Sequence, residues 1–263
     1  MIATCFAILS DLPPSSAQDE RRARNYELWV GVDVTEGSWL SYTGATYSPF
    51  GDIHAAGLKL RASGGYGEYR VWNPFRADFE TKSAQTNYID GLVGYLWRLD
   101  PLIAKLFVGY TSVEHSLPDG VGELIAARGK LGVVNGQQNG LKIQAEFWLN
   151  ITEKSWGSLD LSWTSAHNIR SARARYGYKI TPQISLGVEG SVFADEQVFC
   201  IHALDGTCTR LNEQQALQNA LTNNTRFGAF ARYSWDGGEL SASGGVLGKD
   251  RQYYGKANYL FQF

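Results

Sequence analysis

Asn258-Tyr259-Leu260-Phe261-Gln262-Phe263 closes the 263-residue chain. In an extended segment Tyr259, Phe261 and Phe263 share one face, and Asn258, Leu260 and Gln262 share the other. An aromatic last residue on a period-2 run is the sorting and assembly signature of outer-membrane β-barrels. In that setting Tyr259, Phe261 and Phe263 face lipid and are recognised by the barrel-assembly machinery. Alternation alone would also suit a half-buried soluble strand. The reading is widened by the upstream chain, which repeats the pattern in segments of about ten residues, enough to cross a bilayer as a tilted strand.

Twelve such segments are expected, near 26–34, 39–48, 57–68, 86–98, 102–114, 139–150, 156–165, 169–180, 183–194, 224–235, 238–247 and 253–263. One face of each is apolar, as in Leu58, Leu60 and Ala62, or Leu141, Ile143, Ala145, Phe147 and Leu149. The other is small or charged, as in Lys59, Arg61, Ser63 and Gly65. This gives a sheet without deciding between sandwich and barrel. The connections do decide. Counted from the N-terminus, the even ones are short: Pro49 to Ala56, Leu99 to Pro101, Ile151 to Ser155, Thr181-Pro182 and Asp236-Gly237. The long ones, about 69–85, 115–138 and 195–223, are all odd. Long loops at one end and tight turns at the other is the asymmetry of an outer-membrane barrel with both termini in the periplasm, and a sandwich has no reason to sort loop length by parity. The expectation is an all-β, closed antiparallel transmembrane barrel of about twelve strands, within a range of roughly ten to fourteen, over 25–263.

Composition agrees. Glycine (29) and aromatic residues (8 Trp, 14 Tyr, 12 Phe) are abundant, while proline (7) and methionine (1) are scarce. A net charge of −2 gives no basic field for nucleic acid. No apolar run approaches the ~18 residues of a spanning helix, so a membrane protein of this sequence has to be a closed barrel contacting outer-membrane lipids. Residues 1–24 are expected to form a truncated signal peptide or disordered leader: Ile2 to Leu9 resembles a signal core and Ser15-Ser16-Ala17 a cleavage site, but no Lys or Arg precedes them. Cys5 belongs to that leader. Cys200 and Cys208 are expected to form a local disulfide in an oxidising compartment; with His202 the one imidazole nearby, a metal site is not expected. Asn212 to Leu221 has helical spacing and suits a short helix over the barrel mouth or a disordered loop. Trp29, Trp39, Tyr47, Trp97, Trp156, Tyr178 and Trp235 lie near strand ends, as in a lipid-interface girdle or in packing at the ends of a soluble sheet.

Catalytic chemistry is weakly signalled. Ser165-Ala166-His167-Asn168 has no nucleophile elbow and falls in a short turn, where Ser, His and Asn are ordinary. Asp119 with Glu123, and Asp195 with Glu196, are loop carboxylates with no cleft to fix them. No phosphate loop, dinucleotide fingerprint or metal cluster occurs, and no cofactor is implied. The inward faces say more. Lys59, Arg61, Lys142, Arg173, Arg175, Lys179, Arg226, Arg232 and Lys256 alternate with apolar neighbours and should point into the lumen together with Glu146, Asp160, Glu189 and Glu239. Two readings stay open: a polar passage ringed by opposite charges, or a salt-bridged filling of a narrow barrel. Trp148, Phe107, Phe193 and Phe230, also inward, suit either stacking on sugar rings or interior packing.

Trp29-Val-Gly-Val-Asp33, Tyr42-Thr-Gly-Ala-Thr-Tyr47, Gly51-Asp52 and Leu58-Lys-Leu-Arg-Ala-Ser-Gly-Gly-Tyr-Gly-Glu-Tyr69 resemble the opening strands of BcsS-type cellulose biosynthesis proteins. Ala172-Arg-Ala-Arg-Tyr-Gly-Tyr178 and Leu186-Gly-Val-Glu-Gly190 resemble later strands of that family, and the likeness covers most of 28–260. The resemblance implies a non-enzymatic outer-membrane accessory of cellulose production or secretion, with β-glucan and cellulose secretion components as partners and no catalytic residues to carry over. On that reading Arg61, Lys142, Trp148, Arg173, Arg175 and Arg232 are the expected glucan contacts. The alternatives are a small-solute porin and an outer-membrane hydrolase of lipid or glycan.

Overall fold

In strand β1 (Tyr26–Thr35), Leu28, Val30, Val32 and Val34 are each more than a third exposed, whereas Glu27 and Gly31 between them are buried. Apolar side chains outside and polar ones inside is the reverse of a soluble sheet, and it recurs in β2 (Ser38–Tyr47), β3 (Gly57–Trp72), β4 (Thr81–Leu99), β5 (Leu102–Ser116), β6 (Gly136–Asn150), β7 (Ser155–Thr164), β8 (Arg170–Lys179) and β9 (Ile184–Ala194). After a small hairpin of β10 (Cys200–His202) and β11 (Cys208–Arg210), it resumes in β12 (Thr225–Trp235), β13 (Gly238–Leu247) and β14 (Gln252–Gln262). The computed structural model describes residues 24–72, 81–117, 136–194, 200–202, 208–210, 215, 224–248 and 251–263.

All strands but β10 and β11 form one closed, antiparallel, twelve-stranded barrel, sealed where β1 pairs with β14 from Glu27↔Gln262 to Thr35↔Tyr254. Closure removes the sheet edges that lipid would leave without hydrogen-bond partners. Each expected segment becomes a strand. Both described chain ends and the connections 48–56, 100–101, 151–154, 180–183 and 236–237 share one end, here the terminal end; the other connections, which include the two longest as well as the tight turn 36–37, share the opposite, long-loop end. The outward residues form a continuous apolar coat too large for a monomer in water, with ring pairs Tyr95–Trp97 and Trp235–Tyr259 at the terminal end and Trp39–Tyr66 at the opposite one.

The structure corrects the sequence reading in two places. Strands β3 and β4 pair as far as Trp72↔Thr81, so the connection expected over 69–85 shrinks to 73–80; the ladder continues through Tyr69↔Ala84 and Arg70↔Ser83 in a stretch expected to be loop. Of the proposed girdle, Trp29 and Trp156 point into the lumen. Trp156 is 1% exposed, because its position pairs with Gly177, over which the ring lies flat. Strands β3–β6, 15 to 19 residues long, also outrun their neighbours at the long-loop end: β6 reaches Gly136 opposite His115, whereas β7 starts pairing only at Lys142↔Thr164. The leader apart from Arg24 falls outside the described residues, as do Asp119, Glu123, Asp195, Glu196 and all of the 212–221 segment except Gln215. For Cys200 and Cys208 the backbone places their short strands side by side, Cys208 opposite His202 and Cys200 opposite Arg210; their side chains, and with them the expected disulfide, lie outside the described residues.

Candidate functional site

Two cavities lie in the barrel interior among the described residues. One, of about 800 Å³, opens at the terminal end; the other, of about 760 Å³, opens at the long-loop end. Tyr88, Asp90, Lys142, Arg173 and Lys256 line both, so the cavities meet at a waist.

In the terminal chamber, Arg61 on β3 reaches Glu146 on β6, which also receives Lys105 at 3.3 Å and the Gln144 amide at 3.0 Å. The Arg61 guanidinium lies 3.8 Å from the centroid of the Phe107 ring and 5.2 Å from that of Trp29, which replaces lost water by π-faces. Arg232 pairs with Glu239 at 2.7 Å and Arg175 with Asp160 at 3.5 Å, while Arg175 also donates to Ser158 Oγ at 3.0 Å. Between these pairs Trp148 and Trp156 stack at 4.1 Å with planes 17° apart, and Phe230 backs Trp156 at 5.5 Å. Arg232 is nearly equidistant from the two indoles, at 4.9 and 5.4 Å, so it flanks the stack and does not cap the outer face of Trp148. Trp148 lines the cavity and donates through Nε1 to Asn150 at 3.1 Å.

The turn 48–56 folds in below this chamber. Ile53 is buried, and Lys59, 1% exposed, donates to Ser48 Oγ at 2.8 Å and to the Asp52 carbonyl at 3.1 Å. Burial alone would raise the pKa of the Asp52 carboxyl, but the N–H groups of His54 and Arg24, with the charges of those residues, hold it below the usual carboxylate value.

At the waist, Asp90 is 3% exposed and accepts from Thr111 at 2.5 Å, Ser63 at 3.0 Å and Lys142. Glu189 accepts from Arg173 through Oε2 and from the Tyr254 hydroxyl, at 3.0 Å, through Oε1. Arg226 holds both oxygens of Asp33, at 2.7 and 2.5 Å. Tyr42 donates to Asn258.

Arg61, Lys142, Trp148, Arg173, Arg175 and Arg232, singled out in the sequence, therefore all line the terminal chamber. Each of the five cations has a carboxylate partner, which is the salt-bridged arrangement, yet open volume remains beside the pairs. Of the expected inward aromatics, Phe107 and Phe230 are buried and Phe193 lines the outer chamber. Sequence reading missed Asp90, Lys105 and Asp33. Asp90 sits on a face shared with Leu92 and Leu96, so alternation there is blurred; Lys105 carries the same parity as Phe107 and was legible from that. Ser165 Oγ accepts the Leu141 N–H at 2.9 Å, and the buried His167 ring stands perpendicular to His115 at 5.0 Å, so both belong to the turn that joins β7 to β8. Among the described residues no group of three or more His, Cys, Asp or Glu is placed to hold a metal ion.

A closed twelve-stranded barrel with an apolar coat and a charged, partly open lumen defines an outer-membrane-type β-barrel. In solved structures the chain is similar to an outer membrane channel from Pseudomonas putida F1, at TM-score 0.50 and 12% identity over 96% of this chain and 100% of that one. It is also similar to the KdgM porin (TM-score 0.49, 9% identity, 90% and 99% covered) and to LpxR from Salmonella typhimurium (0.48, 9%, 90% and 100%). No curated protein matches the sequence. The model of the cellulose biosynthesis protein BcsS family matches residues 27–199, and the chain belongs to that family.

Proposed function

We propose that the protein resides in the bacterial outer membrane and assists cellulose production without catalysis, by receiving a β-glucan segment in its lumen. The observation that carries this is the terminal chamber, where the stacked Trp148 stands among paired cations and carboxylates. Glucan is uncharged and every sugar hydroxyl both donates and accepts. An ion-paired wall is electrically balanced and offers guanidinium N–H groups beside carboxylate oxygens, which suits such a ligand better than a bare cationic wall. The apolar face of a pyranose ring stacks on indole, and Trp148 presents one face to open volume with Trp156 fixing the other. Family membership supports the link to cellulose, the apolar coat supports the membrane, and the long-loop end then faces outward. The engagement of Ser165 Oγ by backbone supports a role other than hydrolysis.

Two measurements test this. Arg173→Gln with Arg175→Gln should lower secreted cellulose per assembled molecule, and Trp148→Ala should weaken binding of cello-oligosaccharides to purified protein by up to about tenfold. Unchanged cellulose output from a strain lacking the protein would remove the reading. The meeting of the two cavities favours a small-solute porin as the second reading; that outcome is identified by conductance that responds to these substitutions while cellulose output does not.

A further inference from the structure

Lys142, Arg173 and Lys256 line both cavities at the waist, and Arg226 stands beside them on the outer side. Three carboxylates face them, and each is fully engaged. Asp90 takes Lys142 and Ser63 on Oδ2 and Thr111 on Oδ1. Glu189 takes Arg173 on one oxygen and Tyr254 on the other. Asp33, directly across the strand pair from Lys256, has both oxygens bound by Arg226. Lys256 is left with no carboxylate partner among the described residues; its ammonium stands 5.4 Å from the centroid of the Tyr42 ring. Among the described residues, these four positive groups against three negative ones leave the waist with one uncompensated positive charge, on a residue that lines both cavities.

We propose that this waist is an anion-selective constriction, with Lys256 as the fixed charge that sets the selectivity and small anions, inorganic ions or compact carboxylates and phosphates, as its ligands. A neutral ring of ion pairs gives passing ions no net preference, whereas a single unbalanced charge attracts anions and repels cations where the two cavities meet. The π-face of Tyr42 stands beside the ammonium without neutralising it, so a visiting anion meets an unpaired donor. The proposal stands apart from the glucan reading: a cellulose defect tests one and an ion current the other.

The test is reversal potential in planar lipid bilayers under a KCl gradient, with wild-type protein and with Lys256→Gln, Lys256→Glu and Lys256→Arg, each checked for heat-modifiable mobility. A unit charge within several ångströms of the ion path enriches anions and depletes cations each on the order of threefold even at the dielectric of water, so wild type should favour chloride over potassium by up to about tenfold. Lys256→Arg should keep the preference, Lys256→Gln should bring the ratio near unity, and Lys256→Glu should invert it. Lys256→Met, neutral and similar in length, replaces Gln should the amide disturb packing over Tyr42. A wild-type protein that passes no current or favours potassium, or a neutral variant with unchanged selectivity, overturns the proposal.

Discussion

Asp90 shows what a single side chain does in this lumen. It is almost inaccessible, and it satisfies Lys142 together with two hydroxyls. Removing one partner of such a pair leaves a partly buried charge uncompensated, which costs far more than the pair contributes when intact. Asp90→Ala should therefore destabilise the folded barrel by about 3 kcal/mol, measured as a lower urea midpoint in lipid or detergent by tryptophan fluorescence. A loss under about 1 kcal/mol would mean that Lys142 finds water or another acceptor across the chamber. At this scale the sequence was half legible. Parity alone turned Arg61, Lys142, Arg173, Arg175 and Arg232 inward, since side chains alternate strictly along a strand. The identity of their partners was not legible: Arg61 meets Glu146 three strands away, a distance set by barrel stagger and not by spacing along the chain.

Strands here are joined by a recurring device, an inward glycine facing an aromatic residue directly across the pair. Gly44 faces Trp29, Gly94 faces Phe107, Gly177 faces Trp156 and Gly187 faces Phe230, and in each case a Cβ on the glycine would collide with the ring. The missing side chain lets a large ring lie flat against the wall, which shields the bare backbone and keeps the bulk of the ring out of the central volume. Gly177→Val should then lift Trp156 away from the wall and break its stack on Trp148. The expected readout is loss of the indole exciton couplet in circular dichroism, with a stability cost of about 1–3 kcal/mol. An unchanged couplet would show that the backbone, and not the ring, yields. Glycine abundance was visible in the sequence, but this use of it required register, which hydrophobic alternation does not supply. Strand positions were legible because each expected segment alternates over its whole length; the extra reach of β3 and β4 was not, because the stretch that follows Trp72, with Pro74, Arg76, Asp78 and Glu80, reads as a connection and spacing alone does not place its edges.

The whole barrel depends on one seam. β14 has to find β1 across the full length of the chain, and Tyr26 and Phe263 exchange backbone hydrogen bonds at 3.0 and 3.1 Å while their rings stack at 5.3 Å. Phe261 stacks on Phe263 at 5.6 Å, so the closing strand presents a continuous aromatic strip on the outside. Phe263→Ser should lower the amount of heat-modifiable protein in the outer membrane several-fold while leaving total synthesis unchanged. Normal assembly would show that Tyr259 and Phe261 suffice. The closed sheet was readable from loop parity and the terminal aromatic, since both follow from how a barrel crosses lipid. The waist was not, because it exists only when four distant strands bring Asp33, Asp90, Glu189 and Lys256 to one level.

The unequal strand heights have a mechanical consequence. Beyond the point where β2 and β7 stop pairing, β3 to β6 continue as a four-stranded blade, one edge of which is met by the Ser165 turn, where Leu141 and Ser165 exchange hydrogen bonds at 2.9 Å. The blade has no hinge at its root: its ladders run without interruption into the barrel wall. A pull applied at its tip along the strand direction loads those ladders in shear, so many hydrogen bonds resist together and do not open one after another. Force on this part of the protein is therefore carried into the membrane-embedded wall as tension along β3 to β6, and the tall side of the rim can bear load that the short side cannot.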